Sequence, residues 1–271
     1  MKPVKFALMA RSVVCFHLMF LLIPVLHAEG FTHIVAFGDS FTDNGYIDGH
    51  GFNRDSNGKV WVEYLADRLH VEDLDNRAWG GARTDDGHYL GFDWSGFNWQ
   101  VDRFQLQSMP KETLFTVWIG VNDYWDAKGD PGDSVENIRR GLEKLVAKGA
   151  RHLVVFNNFD LTLSLGYGPK TEYHGLVPAV RELTQEFNRG LYKMLFDAVD
   201  GFAQNNPGVK VYFVDIDAFM GTYVRKHEFA DSPWRGSYAF PDPEKYLWYD
   251  EWHPMTQCHL EIAAMVYQIL Q

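Results

Sequence analysis

The segment Thr32-His33-Ile34-Val35-Ala36-Phe37-Gly38-Asp39-Ser40 carries the pattern that decides the fold. Its β-branched and aromatic residues predict a buried strand over 32–37, and Gly38 marks the turn at which this strand ends. Ser40 follows that turn directly. Because active sites gather at the carboxyl ends of the strands in parallel sheets, Ser40 is a candidate functional residue.

Strands and helices alternate along the rest of the chain. Short β-rich apolar runs recur three more times, at 114–119, 152–156 and 209–214. Helical periodicity predicts helices over 60–69, after a cap at Ser134, and over 178–204. This alternation predicts a parallel sheet covered by helices on both faces, which is a three-layer α/β/α fold.

The sequence predicts a single domain preceded by a targeting segment. The chain has 271 residues, of which 46% are apolar, and shows no repeat, low-complexity stretch or interdomain linker. A basic start and an apolar run over 12–26 that leads to His27-Ala28 are typical of a secretory signal peptide. We therefore expect residues 1–28 to be a signal peptide, 29–271 to form one domain, and the protein to be secreted or periplasmic. An N-terminal membrane anchor is the alternative, but the run is shorter than the roughly 20 residues of a spanning helix.

The charge balance disfavours some partners. Removal of Lys2, Lys5 and Arg11 with the signal peptide would leave 22 basic against 36 acidic residues, a net charge of −14 in place of −11. Such a surface disfavours nucleic acid, and charge would not draw it to anionic lipid. A peripheral contact with a membrane would have to be apolar, and the 15% of aromatic residues supply candidates for it. Cys258 would be the only remaining cysteine, so no intramolecular disulfide is expected.

Three residue types at the two ends of the chain could form a nucleophilic centre. A serine hydroxyl needs a neighbouring base, and the base needs a third group that fixes its tautomer. Asp250 lies three residues before His253, a spacing that in a turn brings the carboxylate to Nδ1 and leaves Nε2 for Ser40. Ser40 could instead cap a turn, and His253 could be a surface histidine. A metal site built from His253, Cys258 and His259 is a further alternative, but their spacing matches no recognised ligand motif.

Acyl transfer also requires hydrogen-bond donors for the developing oxyanion. Two segments offer such donors. The stretch 76–82 contains Gly80-Gly81 and could present a backbone N–H, whereas Gly120-Val121-Asn122-Asp123 offers a side-chain amide. Each segment alone has an ordinary interpretation as a turn.

The order of these blocks resembles that of the GDSL or SGNH hydrolase family, whose hallmark is Ser, Gly, Asn and His in four separated blocks. Residues 37–40 are similar to the first block, with Phe41 in place of the leucine that gives the family its name. Residues 120–123 match the Gly-x-Asn-Asp of the third block, and 250–253 match the Asp-x-x-His of the last. The resemblance runs from about residue 31 to the end of the chain.

A glycine stands in the second block of the family. Gly81 is similar to it, because Ala82 and the hydroxyl-bearing Thr84 follow as they do in the family. The neighbouring Gly80 is the alternative for the same role.

The resemblance implies a flavodoxin-like parallel sheet, the SGNH hydrolase fold, and a role for each block. Ser40 would be the nucleophile and also, through its backbone N–H, a donor to the oxyanion. Gly81 and Asn122 would complete the oxyanion hole. His253 would be the base, oriented by Asp250. No metal or organic cofactor is implied.

Three segments resemble the lipolytic branch of the family, which includes secreted bacterial phospholipases, lysophospholipases and glycerophospholipid acyltransferases. They are the extended start Asp39-Ser40-Phe41-Thr42-Asp43-Asn44-Gly45, Gln100-Val101-Asp102-Arg103-Phe104 and Asn158-Phe159-Asp160-Leu161, the last with Phe159 where relatives often carry proline. We therefore expect a secreted lysophospholipase A or phospholipase A that works through a Ser40 acyl-enzyme, with an alcohol as a second acyl acceptor.

Two alternatives remain open on the sequence alone. One is a carbohydrate acetylesterase, because the family's core also serves that reaction. The other is a secreted binding protein that has lost catalysis. The aromatic segments 89–99 and 219–248 favour a lipid substrate, although aromatic rings also stack on sugars.

Overall fold

The computed structural model describes residues 30–47, 49–105, 112–235 and 242–271. The predicted signal peptide, residues 1–28, lies outside them and stays a prediction. Among the described residues, no helix combines the length and the apolar character that a bilayer crossing requires.

A five-stranded sheet forms the centre of the described structure. Its strands are β1 His33–Gly38, β2 Asp73–Asn76, β3 Thr113–Trp118, β4 His152–Phe156 and β5 Lys210–Val214. All four neighbouring pairs are parallel, and the order is β2-β1-β3-β4-β5. This is the flavodoxin-like order, which confirms the predicted fold class.

Eight α-helices connect or flank the described strands. They are α1 Trp61–Leu69, α2 Phe97–Arg103, α3 Val121–Tyr124, α4 Pro131–Ala147, α5 Val177–Phe196, α6 Phe202–Asn205, α7 Ile216–Lys226 and α8 Thr256–Ile269. Short 3₁₀ turns occur at Leu161–Leu163, Leu165–Tyr167, His174–Leu176 and Pro243–Lys245.

Each face of the sheet carries its own hydrophobic cluster. Along β1, Ile34 and Ala36 belong to the cluster that includes α1 and α8, whereas Val35 and Phe37 belong to the cluster that includes α2, α4 and α5. This alternation follows from the period of two in a strand, because successive side chains point to opposite faces. Helices on both faces make the three-layer α/β/α arrangement.

Three local features differ from the sequence-based predictions. Strand β2 was not predicted, and α5 ends at Phe196 rather than near residue 204, where a turn at Asp197 leads to the separate α6. The predicted cap Ser134 lies inside α4. Asp130 caps that helix instead, because its carboxylate accepts from Gly132 N at 2.7 Å and Pro131 occupies the first helical position.

Candidate active site

A tight turn at the end of β1 places Ser40. A Cβ atom on Gly38 would lie 2.5 Å from the carbonyl oxygen of Trp118 on the neighbouring strand, so this close approach requires glycine. The side chain of Gln100 holds the same residue, since it accepts from Gly38 N at 3.1 Å and donates to Gly38 O at 2.8 Å. The segment that resembled the lipolytic branch therefore includes a buried support for the Ser40 turn.

Ser40, His253 and Asp250 form one hydrogen-bonded series. The Ser40 hydroxyl lies 2.8 Å from His253 Nε2, and His253 Nδ1 lies 2.9 Å from both carboxylate oxygens of Asp250. Asp250 Oδ1 also accepts from the backbone N–H groups of Trp252 and His253, each at 2.8 Å, which fixes the turn that carries both residues. The three side chains predicted from opposite ends of the chain thus meet in the geometry in which an imidazole can take a proton from a hydroxyl.

The electrostatic surroundings of His253 favour its charged form. Burial alone would lower its pKa, but the hydrogen bond and charge of Asp250, together with the charges of Asp55 and Asp39, outweigh burial and raise the pKa above its ordinary value. Burial would raise the pKa of Asp250, yet its bonds to His253 and to the backbone hold that pKa below the ordinary value. Asp250 is therefore an ionised partner for an imidazolium that forms during a reaction.

Three N–H groups beside Ser40 are open for an oxyanion. Neither Ser40 N–H nor Gly81 N–H has an acceptor within the described part of the chain. Asn122 uses one amide proton to bond Ala82 O at 3.0 Å, which leaves the other available. Gly80 N–H is committed to Asp43 Oδ2 at 2.7 Å. The hydrogen bonding therefore favours Gly81 over Gly80 as a donor.

Glycine is required at position 81 for two reasons. Its φ of +76° is a conformation that other residues rarely adopt, and a Cβ atom there would lie 2.2 Å from His88 Nε2. The group that leaves no room for a side chain at position 81 is thus the imidazole of His88.

Substitution of the Asn122 side chain tests whether its amide stabilises the oxyanion. We expect Asn122→Ala to lower kcat for a soluble ester by about 10²–10³-fold, because one donor to the oxyanion is lost. Asn205→Ala is the matched control, since Asn205 is an exposed amide that bonds only Asp200 O among the described residues. Steady-state kinetics of the two variants provide the measurement, and an Asn122→Ala enzyme with unchanged kcat would rule out this role.

Two acidic residues flank Ser40 and act differently. Asp39 stays within the turn, where its Oδ1 accepts from Phe41 N at 3.1 Å and burial raises its pKa to about 7. Asp43 joins three loops, because Oδ1 accepts from Gly45 N and Oδ2 accepts from Phe52 N at 2.8 Å and from Gly80 N. Nothing in the local sequence around Asp43 marks its links to Phe52 and Gly80, which lie 9 and 37 residues further along the chain.

Asp43→Asn should therefore weaken the site without removing a reacting group. The amide nitrogen cannot accept, so at least one of the three N–H groups loses its partner, at a cost of about 1–3 kcal/mol in the free energy of unfolding. We expect the melting temperature to fall and kcat to drop by about ten-fold as the Gly80-Gly81 turn shifts. Thermal unfolding and ester kinetics measure both effects; unchanged kcat in a destabilised variant would show that the Gly80 link is only structural.

The Ser40 hydroxyl faces a cavity of about 550 Å³. Aromatic and aliphatic side chains form most of its wall: Phe41, Phe52, Tyr89, Leu90, Phe92, Val121, Trp125, Leu161, Tyr173 and Trp252. Leu90, Tyr89 and Phe92 are 61%, 45% and 44% exposed and form part of the cavity lining. The cavity is thus mostly apolar, and exposed aromatic and aliphatic side chains form part of its rim.

The two aromatic segments predicted to face a substrate behave differently. From 89–99, Tyr89 and Phe92 line the cavity, whereas Phe97 is fully buried in the core. No described residue of 219–248 lines the cavity, and residues 236–241 lie outside the described ranges. That second segment therefore gives no structural support to the prediction that it faces a substrate.

A metal site at His253, Cys258 and His259 is not what the structure shows. Within the described ranges, the one group of potential ligands whose donor atoms lie within 4.8 Å of one another is Asp55, Asp250 and His253. Cys258 and His259 are buried in α8, where the Cys258 thiol contacts Met220 Sδ at 3.6 Å. Asp55 was not among the candidate residues of the sequence analysis, because nothing in the segment Asn53-Arg54-Asp55-Ser56 marks it.

The site holds a hydroxyl, an imidazole and a carboxylate in series, next to open N–H donors, and Ser40 lies at the carboxyl end of a parallel strand. Such an arrangement suits acyl transfer. The fold and this site define a carboxylic ester hydrolase. A family model described as GDSL-like Lipase/Acylhydrolase matches residues 34–266, and the chain belongs to that family.

Among the proteins similar to this chain, one is named for a lipid substrate and another for an acetyl ester. A phosphatidylcholine-sterol acyltransferase of Aeromonas hydrophila is 27% identical over 187 residues, which cover 60% of this chain and 54% of that protein, so the match spans about half of the relative's length. An acetylesterase of Hypocrea jecorina is 26% identical over 87% of each chain. A solved structure of a lipolytic protein of the G-D-S-L family from Veillonella parvula shares the fold, with a TM-score of 0.52, 14% identity, and coverage of 87% of this chain and 96% of that one.

Proposed function

We propose that the protein hydrolyses acyl esters of lipids, with lysophospholipids and phospholipids as the substrate class, through an acyl-enzyme on Ser40. The observation that carries this proposal is the apolar cavity of about 550 Å³ into which Ser40 opens. Ligand cavities of roughly 300–1,000 Å³ with mostly apolar walls bind molecules much larger than an acetyl group. An aliphatic chain would bury its surface against these rings and be stabilised by the hydrophobic effect.

In the proposed mechanism, His253 removes the proton of Ser40 as the hydroxyl oxygen attacks the ester carbonyl. The carbonyl oxygen becomes an oxyanion and accepts from Ser40 N, Gly81 N and Asn122 Nδ2. His253 then gives the proton to the leaving alcohol, and the acyl group stays on Ser40. His253 then removes a proton from water, which attacks the acyl-enzyme carbonyl. The bond to Ser40 Oγ breaks, His253 returns the proton to that oxygen, and the fatty acid is released.

Transfer to an alcohol follows from the same chemistry. An acceptor alcohol that takes the place of water would form a new ester and release free Ser40. The Aeromonas hydrophila relative is named as an acyltransferase from phosphatidylcholine to sterol, which supports this second activity. The exposed side chains at the rim of the cavity, Tyr89, Leu90 and Phe92, would contact an apolar donor or acceptor.

A carbohydrate acetylesterase is the second candidate. The likeness to the Hypocrea jecorina acetylesterase over 87% of each chain favours it. The rings of Trp125, Tyr173 and Trp252 lie together at the cavity and could stack on a sugar. A binding protein without catalysis is a third candidate, but the 2.8 Å contact between the Ser40 hydroxyl and His253 Nε2 favours an active enzyme. Labelling by a fluorophosphonate probe would exclude a pure binding protein.

A direct comparison of products tests the proposal. Fatty acid release from lysophosphatidylcholine, with and without an acceptor alcohol, is measured beside acetate release from acetylated xylan. We expect fatty acid release to dominate and an acyl-alcohol to appear when the acceptor is present. Release of acetate alone would replace the lipid proposal with the acetylesterase.

A further inference from the structure

Asp55 is a carboxylate at the cavity that the proposed mechanism does not use. It lines the cavity, and its Oδ2 lies 4.0 Å from His253 Nε2, the atom that faces Ser40. Its side chain is 24% exposed, and no described residue donates a hydrogen bond to it. The Asp55 carboxylate oxygens therefore have no donor among the described residues and can accept a hydrogen bond from a group that enters the cavity.

The segment that carries Asp55 is anchored on both sides. Arg54 bonds Asn44 O at 3.2 Å, Gly58 O at 3.1 Å and Glu63 Oε1 at 2.9 Å. Asn57 Oδ1 accepts from Thr256 N, at the start of α8, at 2.9 Å. The backbone around Asp55 is therefore tied both to α1 and to the helix that follows His253, which keeps the carboxylate beside the imidazole.

This side of the cavity is where the leaving alcohol must lie. His253 has to deliver a proton to the leaving oxygen, which requires that oxygen to come within roughly 2.6–3.2 Å of Nε2. Asp55 lies beside the same atom at 4.0 Å. A hydroxyl on the carbon next to the ester-bearing carbon therefore comes within reach of Asp55. The acceptor in the second step occupies the same place, because it too must contact Nε2.

The carboxylate of Asp55 favours some leaving alcohols over others at this side of the cavity. An ionised carboxylate only accepts hydrogen bonds, so it binds hydroxyl groups and repels the negative charge of a phosphate placed against it. Burial is the main cause of the raised pKa of Asp55; the charge of His253 lowers that pKa, the charge of Asp250 raises it, and the charge of Arg235 lowers it. Asp250 thus adds a second negative charge near this place. A polyol whose neighbouring hydroxyl is free fits, whereas an ester at that hydroxyl would remove the donor.

We propose that Asp55 binds the free hydroxyl adjacent to the scissile ester, so that the enzyme selects monoacyl esters of polyols, such as lysolipids, over diacyl lipids and esters of simple alcohols. This inference rests on the proposed ester hydrolysis at Ser40 and narrows its substrate class. It also assigns to Asp55 the position of an incoming polyol acceptor.

Two esters that differ by one hydroxyl test the inference. The pair is 2-hydroxypropyl octanoate and propyl octanoate, assayed at an alkaline pH at which His253 is neutral in every variant. We expect the enzyme to favour the hydroxylated ester at least ten-fold in kcat/KM. Asp55→Ala should bring the ratio near one, because it slows the hydroxylated ester much more than propyl octanoate, which loses only the effect of the Asp55 charge on His253. Asp55→Asn should give an intermediate ratio, because its amide oxygen still accepts. Asp200→Asn, an exposed aspartate after α5, is the matched control.

Other results would overturn the inference. A native ratio near one would show that no hydroxyl is recognised. An equal loss for both esters in Asp55→Ala, with the acidic limb of the pH profile displaced, would show that Asp55 acts only through the charge of His253. If no octanoate is hydrolysed, the lipid proposal fails, and the corresponding acetate pair then tests Asp55 independently. Thermal unfolding of each variant separates a lost contact from a lost fold.

Discussion

Ser40→Ala is expected to abolish hydrolysis of a short p-nitrophenyl ester, with kcat reduced by about 10⁴–10⁶-fold, because the methyl group cannot form the acyl-enzyme. The hydroxyl bonds only His253 among the described residues, so the melting temperature should change little. The Ser40→Ala variant should also no longer be labelled covalently by a fluorophosphonate, as detected by mass spectrometry. Substantial remaining activity would exclude Ser40 as the nucleophile.

Ser134→Ala is the matched control for that experiment. Ser134 is also a buried serine, but it lies in α4, where its hydroxyl donates to Asp130 O at 3.2 Å. We expect full activity and full labelling from this variant. A loss in both variants would indicate a damaged fold rather than a missing nucleophile.

Asp250→Asn is the second change with a large expected effect. An amide in place of the carboxylate can no longer fix the productive tautomer of His253 or stabilise its imidazolium, and losses in kcat of about 10⁴-fold follow such a change in serine proteases. The pH profile should change as well. His253 must be neutral to act as a base, so kcat/KM of the native enzyme falls as the pH drops through the raised pKa of His253.

The direction of the pH effect follows from two opposing influences on the pKa of His253: burial lowers it, and Asp250 raises it. Without its charge and hydrogen bond, burial dominates and lowers the pKa of His253, so the acidic limb should move to lower pH in Asp250→Asn. The logarithm of kcat/KM plotted against pH for both enzymes measures the change. An acidic limb at the same pH would show that another group controls it.

The sequence predicted the features that depend on short local patterns. The strand over 152–156 and the turn after β1 follow from runs of β-branched residues and from one glycine. The order of blocks predicts that their key residues meet at one site. Four of them line one cavity, namely Ser40, Gly81, Asn122 and His253, and Asp250 contacts His253. Their catalytic roles stay predictions.

Other features depend on contacts that a local pattern does not carry. Strand β2 reads Asp-Leu-Asp-Asn and lacks apolar alternation; it forms because β1 offers an edge in register with it. The turn at Asp197 breaks a helical periodicity that continues in the sequence. Asp55 becomes notable only because the fold brings it beside His253, which lies 198 residues further along the chain, and no spacing in its own segment marks it.

The hydrogen bonds of Asp43 connect a residue of the cavity wall to the turn that holds a proposed oxyanion donor. One carboxylate oxygen holds both Phe52 N, whose ring lines the cavity, and Gly80 N, next to the Gly81 donor. An acyl chain that presses on Phe52 therefore acts on the same support that aims the Gly81 N–H. Binding energy gained far from the ester can in this way be expressed in the transition state, so a longer acyl chain would increase turnover more than it increases affinity.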